Sequence, residues 1–143
     1  MSVDLESARR IVGQEHGLAS VSVVREDGTP HSSPVNAGVL EHPRTGAPVV
    51  GYVTYGPIKL RNLRARPATS VLWRAGWRWA AVDGTSELIG PGDTDPEELR
   101  LLLRSVFSAA GGTHDDWETY DRVMREEGRV AVLVTPAKVY GTA

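Results

Sequence analysis

Two runs rich in strand-forming residues, Leu18 to Arg25 and Pro30 to Leu40, flank the tetrapeptide Glu26-Asp27-Gly28-Thr29. An Asp-Gly turn between such runs is a strong local hairpin signal, because both residues tolerate the backbone that folds a strand onto its neighbour. The chain is thereby committed to antiparallel pairing, and the next punctuation repeats the pattern. Glu41 to Gly46 is a second turn, followed by Ala47 to Tyr55, a strand apolar on both faces and therefore buried. Ala68 to Arg74 and Trp77 to Ile89 read as two further strands joined near Ala75-Gly76, and Gly84 marks a bulge or bend in the second. Arg129 to Thr135 is an apolar final strand, with Pro136 to Tyr140 behind it.

Helical signals are short. Val3, Leu5, Ala8, Ile11 and Val12 make an imperfect stripe that ends before Gly17. Gly56 suits an N-cap and Pro57 the first helical position, where its missing N–H costs nothing. Leu60 and Leu63 form the apolar edge of that helix, which Arg66-Pro67 closes. Asp95-Pro96-Glu97-Glu98 combines an N-cap Asp, Pro at N1 and Glu at N3, and Leu99, Leu102, Leu103, Val106 and Phe107 follow at helical spacing. A last helix from about Asp115 to Glu127 places Trp117, Tyr120 and Met124 on one side. Six strands and three or four short helices predict a mainly β (α+β) fold: a six-stranded antiparallel barrel flanked by helices, in one domain spanning 1–143.

Several function classes lack support. Without cysteine there is no thiolate metal site and no thiol nucleophile. His16, His31, His42 and His114 share no metal-ligand spacing, so no metal is expected. Neither a Gly-x-Ser-x-Gly elbow nor a Gly-x-Gly-x-x-Gly fingerprint occurs. A pI near 6.1 argues against general nucleic-acid binding. The charged start MSVDLESARR and the lack of a long apolar run argue against a signal peptide and a membrane helix, and a cytoplasmic location is expected.

Positive evidence is concentrated in the middle of the chain. From His42 to Val82 there is no Asp or Glu, although the segment holds Arg44, Lys59, Arg61, Arg64, Arg66, Arg74 and Arg78. All 18 acidic residues lie outside it. Trp73, Trp77 and Trp79 lie in its last ten residues. Cationic charge beside flat aromatic surface suits a ligand with an anionic tail and a ring system. A phosphorylated, flavin-like cofactor has that form, and a nucleic-acid strand shares it in part. At Thr54-Tyr55-Gly56-Pro57-Ile58-Lys59-Leu60-Arg61-Asn62 a strand runs straight into a helix whose first turn exposes unpaired N–H groups, an arrangement ready for a phosphate or carboxylate. Arg64 and Arg66 fit a solubilising role better than Lys59 does, because a cation in the first turn opposes the helix dipole. Trp77 and Trp79, two apart in a strand, are expected to share a face as core, interface or ring-stacking residues, whereas Trp73 reads as core. With no nucleophile or acid–base pair in view, a cofactor is expected to carry any reaction.

The order of these fragments resembles that of the pyridoxamine-phosphate-oxidase-like split-barrel proteins, and within them the actinobacterial branch of deazaflavin (coenzyme F420)-dependent oxidoreductases. The resemblance rests on Asp27-Gly28, Pro30-His31-Ser32-Ser33-Pro34-Val35-Asn36, Lys59-Leu60-Arg61-Asn62-Leu63-Arg64, Arg66-Pro67, Gly76-Trp77 and Gly84-Thr85. It continues through His114-Asp115-Asp116-Trp117, Tyr120, Met124, Arg129-Val130, Pro136 and Val139-Tyr140-Gly141.

This resemblance implies a homodimer with two cofactor sites between subunits. It implies that Lys59, Arg61 and Asn62 hold the phosphate and glutamate tail, and that Ser33, Pro34, Val35, Asn36 and Thr54 line the deazaflavin. Trp77, Arg78 and Trp79 would reach in from the partner chain. Related flavin-binding members place polar residues such as Ser-Arg before the helix lysine, where this chain has Pro57-Ile58. They also tend to carry a basic residue on the second strand, where it has His31 and Asn36. Both departures weaken an FMN clamp and favour F420. The implied reaction is hydride transfer from reduced deazaflavin to a small planar organic substrate, with protonation from Tyr55, His31 or water. The alternatives are an FMN- or haem-binding member, a cofactor-storage protein, or a nucleic-acid-binding barrel.

Overall fold

The computed structural model describes residues 3–142. The chain forms α1 (Leu5–Val12), β1 (Leu18–Val24), β2 (Pro30–Glu41), β3 (Pro48–Thr54), α2 (Pro57–Ala65), β4 (Ala68–Ala75), β5 (Arg78–Ile89), α3 (Pro96–Ala109), α4 (Trp117–Glu126) and β6 (Val130–Gly141). The six strands close into an antiparallel barrel in the order β1-β2-β3-β6-β5-β4, with β4 pairing back onto β1.

Period-2 alternation turns one face of each strand inward. Ala19, Val21, Val23, Ala37, Val39, Val50, Tyr52, Val71, Trp73, Val82 and Val132 fill the barrel together with Ala8, Ile11 and Val12 of α1 and Leu60 and Leu63 of α2. Trp73 is 1% exposed and its indole N–H donates to Ala37 O at 2.9 Å, so it is a core residue, as its position in the strand pattern predicts. A second apolar layer, including Val49, Leu133, Leu103, Val106 and Tyr120, joins α3 and α4 to the outer side of β3 and β6. The cap of α3 is the one its sequence predicts: the Asp95 carboxylate accepts from the N–H groups of Glu97 and Glu98. Gly56 and Pro57 likewise open α2.

Two expectations need correction. Trp77 is not part of a strand. Ala75 pairs with Arg78, leaving Gly76-Trp77 as a two-residue turn, and Gly76 at φ 63° supplies the positive dihedral that the first position of such a turn requires. Trp77 is consequently 96% exposed at the hairpin tip and does not share a strand face with Trp79. The residues after Thr135 continue the final strand instead of following it as a separate run. β6 runs unbroken through Pro136, and its pairing with β5 shifts between Asp83 and Gly84. Gly84 marks the bulge because an added Cβ would stand 2.1 Å from Thr135 O.

The barrel is split at one place. β2 and β3 pair only between Ala37–Tyr52 and Glu41–Pro48. From Asn36 back to Pro30, β2 pairs with β1 alone, while Val53 and Thr54 of β3 pair with β6 alone. Pro34 lies in the free part of β2, where an edge can accommodate a residue without an N–H. The gap opens where β3 passes into α2.

Candidate functional site

The split collects most of the residues singled out in the sequence. His31, Ser33 and Val35 lie on the inward face of the free part of β2, while Pro34 and Asn36 face outward. Thr54 ends β3 inside the barrel, buried, with its hydroxyl accepting from the Gly56 N–H at 3.4 Å. Pro57, Ile58 and Lys59 then form the first turn of α2.

Polar atoms around the split are under-satisfied. His31 Nδ1, Ser33 Oγ and the Tyr52 phenol oxygen are buried without a protein partner, and all three belong to the two strands that bound the gap. Each such atom costs about 1–3 kcal/mol when left unpaired. Burial pushes the Tyr52 phenol above its ordinary pKa and keeps it a neutral O–H donor.

Lys59 is the charged member. Its ammonium lies 5.7 Å from the centroid of the Tyr52 ring, and burial holds its pKa below the usual lysine range. It forms no ion pair among the described residues. A half-buried cation beside the free N–H groups of a helix start is an arrangement that suits an anion.

Other members are placed differently. Lys59 and Arg61 are two apart in α2 and project about 200° from one another. Arg61 faces a groove beside the β1–β2 hairpin, together with Arg25 and Asp27. Asn62 is buried, and its side-chain oxygen accepts from Arg66 Nη2 at 2.9 Å. Arg66 also donates from Nε to Val24 O at 2.9 Å, so it ties α2 to β1 instead of merely solubilising the helix.

The acid-free window, continuous in sequence, is divided in space. β2 and β4 both pair antiparallel with β1 and therefore run the same way, so the turns bearing Arg44 and Trp77-Arg78 both lie at the end away from α2. Eight residues of β4 separate the two ends by about 26 Å. Trp77, Arg78 and Trp79 of a chain are thus remote from its own Lys59. Trp79 instead packs edge-on against Tyr140 at 6.0 Å on the outer face of β5 and β6.

Sequence reasoning missed Tyr52 and the place of Arg129. The first was legible by period: two residues before Thr54, it shares that residue's inward face. Arg129 carried no such signal, because its place depends on Tyr55, whose ring its guanidinium covers at 3.9 Å to the centroid.

Residues 6–143 match the family model described as pyridoxamine 5'-phosphate oxidase. Among solved structures, a conserved hypothetical protein from Mycobacterium tuberculosis is similar at 19% identity, with 98% of this chain and 84% of that one covered and a TM-score of 0.71. A protein named as an F420 reductase is similar at 18% identity over 90% of this chain and 92% of that one, with a TM-score of 0.59. An FAD-binding protein from Mesorhizobium loti is similar at 15% identity over 99% and 95%, with a TM-score of 0.60. At these identities the solved structures establish the split-barrel fold.

Proposed function

The chain belongs to the pyridoxamine 5'-phosphate oxidase family, and from that premise we propose that its split holds a phosphorylated deazaflavin, coenzyme F420, for reduction of a small planar organic substrate. The observation that carries the reading is the pairing of an uncompensated, half-buried Lys59 with the unpaired polar atoms of His31, Ser33 and Tyr52 around one gap. Lys59 and the first N–H groups of α2 would hold the phosphate. Arg61, on the far side of the helix, would meet the acidic tail where it leaves the split. Ser33 to Asn36 and Thr54 would border the ring, with Ser33 Oγ and the Tyr52 O–H free to bond its polar edge.

When bound and reduced, the deazaflavin supplies a hydride. The protein's part is to orient the ring, keep water from one side and deliver a proton. His31 Nδ1 and the phenol of Tyr55, half exposed immediately after β3, are the groups proposed for that task. FMN is the competing occupant, and the FAD-binding similarity gives it weight. Pro57-Ile58 favours F420, since neither side chain adds a phosphate donor beside Lys59. Titrations followed by tryptophan fluorescence are expected to show tighter binding of F420 than of FMN. Equal or tighter FMN binding would transfer the site to a flavin.

The same reading includes a homodimer. Leu72, Trp79 and Tyr140 lie on the outer face of β4, β5 and β6, and Leu72 and Tyr140 remain 37% and 40% exposed. A twofold partner is the commonest cover for such a face. It would also bring Trp77 and Arg78 of one chain to the split of the other, which they cannot reach within their own. Light scattering is expected to give a dimer mass. A mass near 15.5 kDa with F420 bound would refute the shared site.

A further inference from the structure

A cleft of about 380 Å³ lies where the loop from β5 to α3 meets α3 and α4. Its volume falls in the range of small-molecule pockets, and none of the residues that border the split lines it. Leu99 and Leu103 of α3 and Met124 of α4 give it an aliphatic wall, to which Pro91 and Pro96 add where the loop enters α3. The loop is held in shape, since the Gly90 N–H donates to Asp93 Oδ2 at 2.8 Å and the Asp93 N–H to Gly90 O at 3.0 Å. No aromatic ring lines the cleft, so its apolar surface suits a methylene chain better than a stacked ring.

The charged lining is paired within the protein at all but one position. Both carboxylate oxygens of Glu97 accept from Arg100. Asp121 accepts from Arg100 Nη1 at 3.2 Å, from Arg104 Nε at 2.9 Å and from Arg104 Nη2. Arg129 Nη2 donates to Glu127 Oε1 at 3.1 Å, and the Thr94 hydroxyl donates to Glu98. Arg125 is the exception, with no ion pair among the described residues. Helical spacing puts it beside the cleft: Asp121, Met124 and Arg125 stand at i, i+3 and i+4, on the side of α4 from which Asp121 pairs with α3. Asp121, already engaged by Arg100 and Arg104, has little capacity left to draw Arg125 in. The cations Arg100, Arg104 and Arg129 are matched by Glu97, Asp121 and Glu127, which leaves the cleft the single positive charge of Arg125.

We infer that this cleft binds a medium-chain aliphatic carboxylate, its chain against Leu99, Leu103 and Met124 and its carboxylate on Arg125. One uncompensated cation matches a monoanion, and the chain takes aliphatic surface on both partners out of water. A dianion would bring a second charge for which the cleft holds no free cation. The inference is independent of what occupies the split.

The test uses the full chain without cofactor, with octanoate as probe and 1-octanol, the same chain without the charge, as control. Calorimetry is expected to show saturable octanoate binding that weakens about two- to fivefold in Arg125→Gln, the scale of an ion pair at an exposed rim. The control is expected to bind the wild type more weakly than octanoate and to bind both proteins alike. Arg125 is exposed, so the variant is expected to fold as the wild type does. A second readout needs no variant of the cleft: Met124 is the chain's one methionine besides Met1, and its ¹³C-labelled methyl signal is expected to move as octanoate is added. Equal affinity of the wild type for the two probes, unchanged octanoate affinity in Arg125→Gln, or an unmoved Met124 methyl would each overturn the inference. With no cofactor present, each of these results is separate from F420 binding at the split.

Discussion

Trp73→Ala is expected to lower the unfolding free energy by about 3–5 kcal/mol, the usual cost of removing a large aromatic from a packed interior. Trp73 sits inside the barrel between α1 and the strands, and its indole N–H is the partner of Ala37 O. Alanine would leave both a cavity and an orphaned carbonyl. Trp73→Phe fills most of the space and is expected to cost less, about 1–3 kcal/mol, mainly for the unpaired carbonyl. Urea denaturation of the three proteins measures both quantities. Similar midpoints for wild type and Trp73→Ala would mean that the residue is not part of the core.

Lys59→Ala is expected to weaken F420 binding by roughly 1.5–3 kcal/mol, the scale of a charge-assisted hydrogen bond. Arg64→Ala, exposed further along α2, is expected to change little. Comparable losses at both positions would indicate diffuse attraction in place of a defined contact. The pH dependence follows from the same burial. Lys59 binds an anion only while protonated, and its pKa in the free protein is lowered. Affinity is therefore fully present below that lowered value and declines as pH rises through it, earlier than for an ordinary lysine near 10.4. The alkaline decline is expected to vanish in Lys59→Ala, which titration across pH 7 to about 11 would show.

Much of the scaffold was legible because its signals are local. The Asp27-Gly28 turn, the Gly56-Pro57 entry to α2, the Asp95 cap and the spacing from Leu99 to Val106 each act over a few residues, and each element formed as predicted. Two readings that depended on distant residues failed. Trp77 looks like the start of a strand until Ala75 is seen to pair with Arg78. Arg66 looks like a solvated helix end until the carbonyl of Val24 arrives beside it from another strand.

The site shows the same division. Lys59 was visible as a cation in the wrong turn of a helix for its charge. The gap beside it was not, because Pro34 shows only that part of β2 suits an edge, not which neighbour is missing. The continuous run of positive charge also implied one patch, whereas the antiparallel strands carry its halves to opposite ends of the barrel.

A crystal structure of the protein with F420 tests the central claim most directly. The tail phosphate is expected within hydrogen-bonding distance of Lys59 Nζ and the first turn of α2, with the ring in the gap between Ser33–Asn36 and Thr54. F420 bound on the outer face around Leu72 and Tyr140, with the split between β2 and β3 empty, would contradict it.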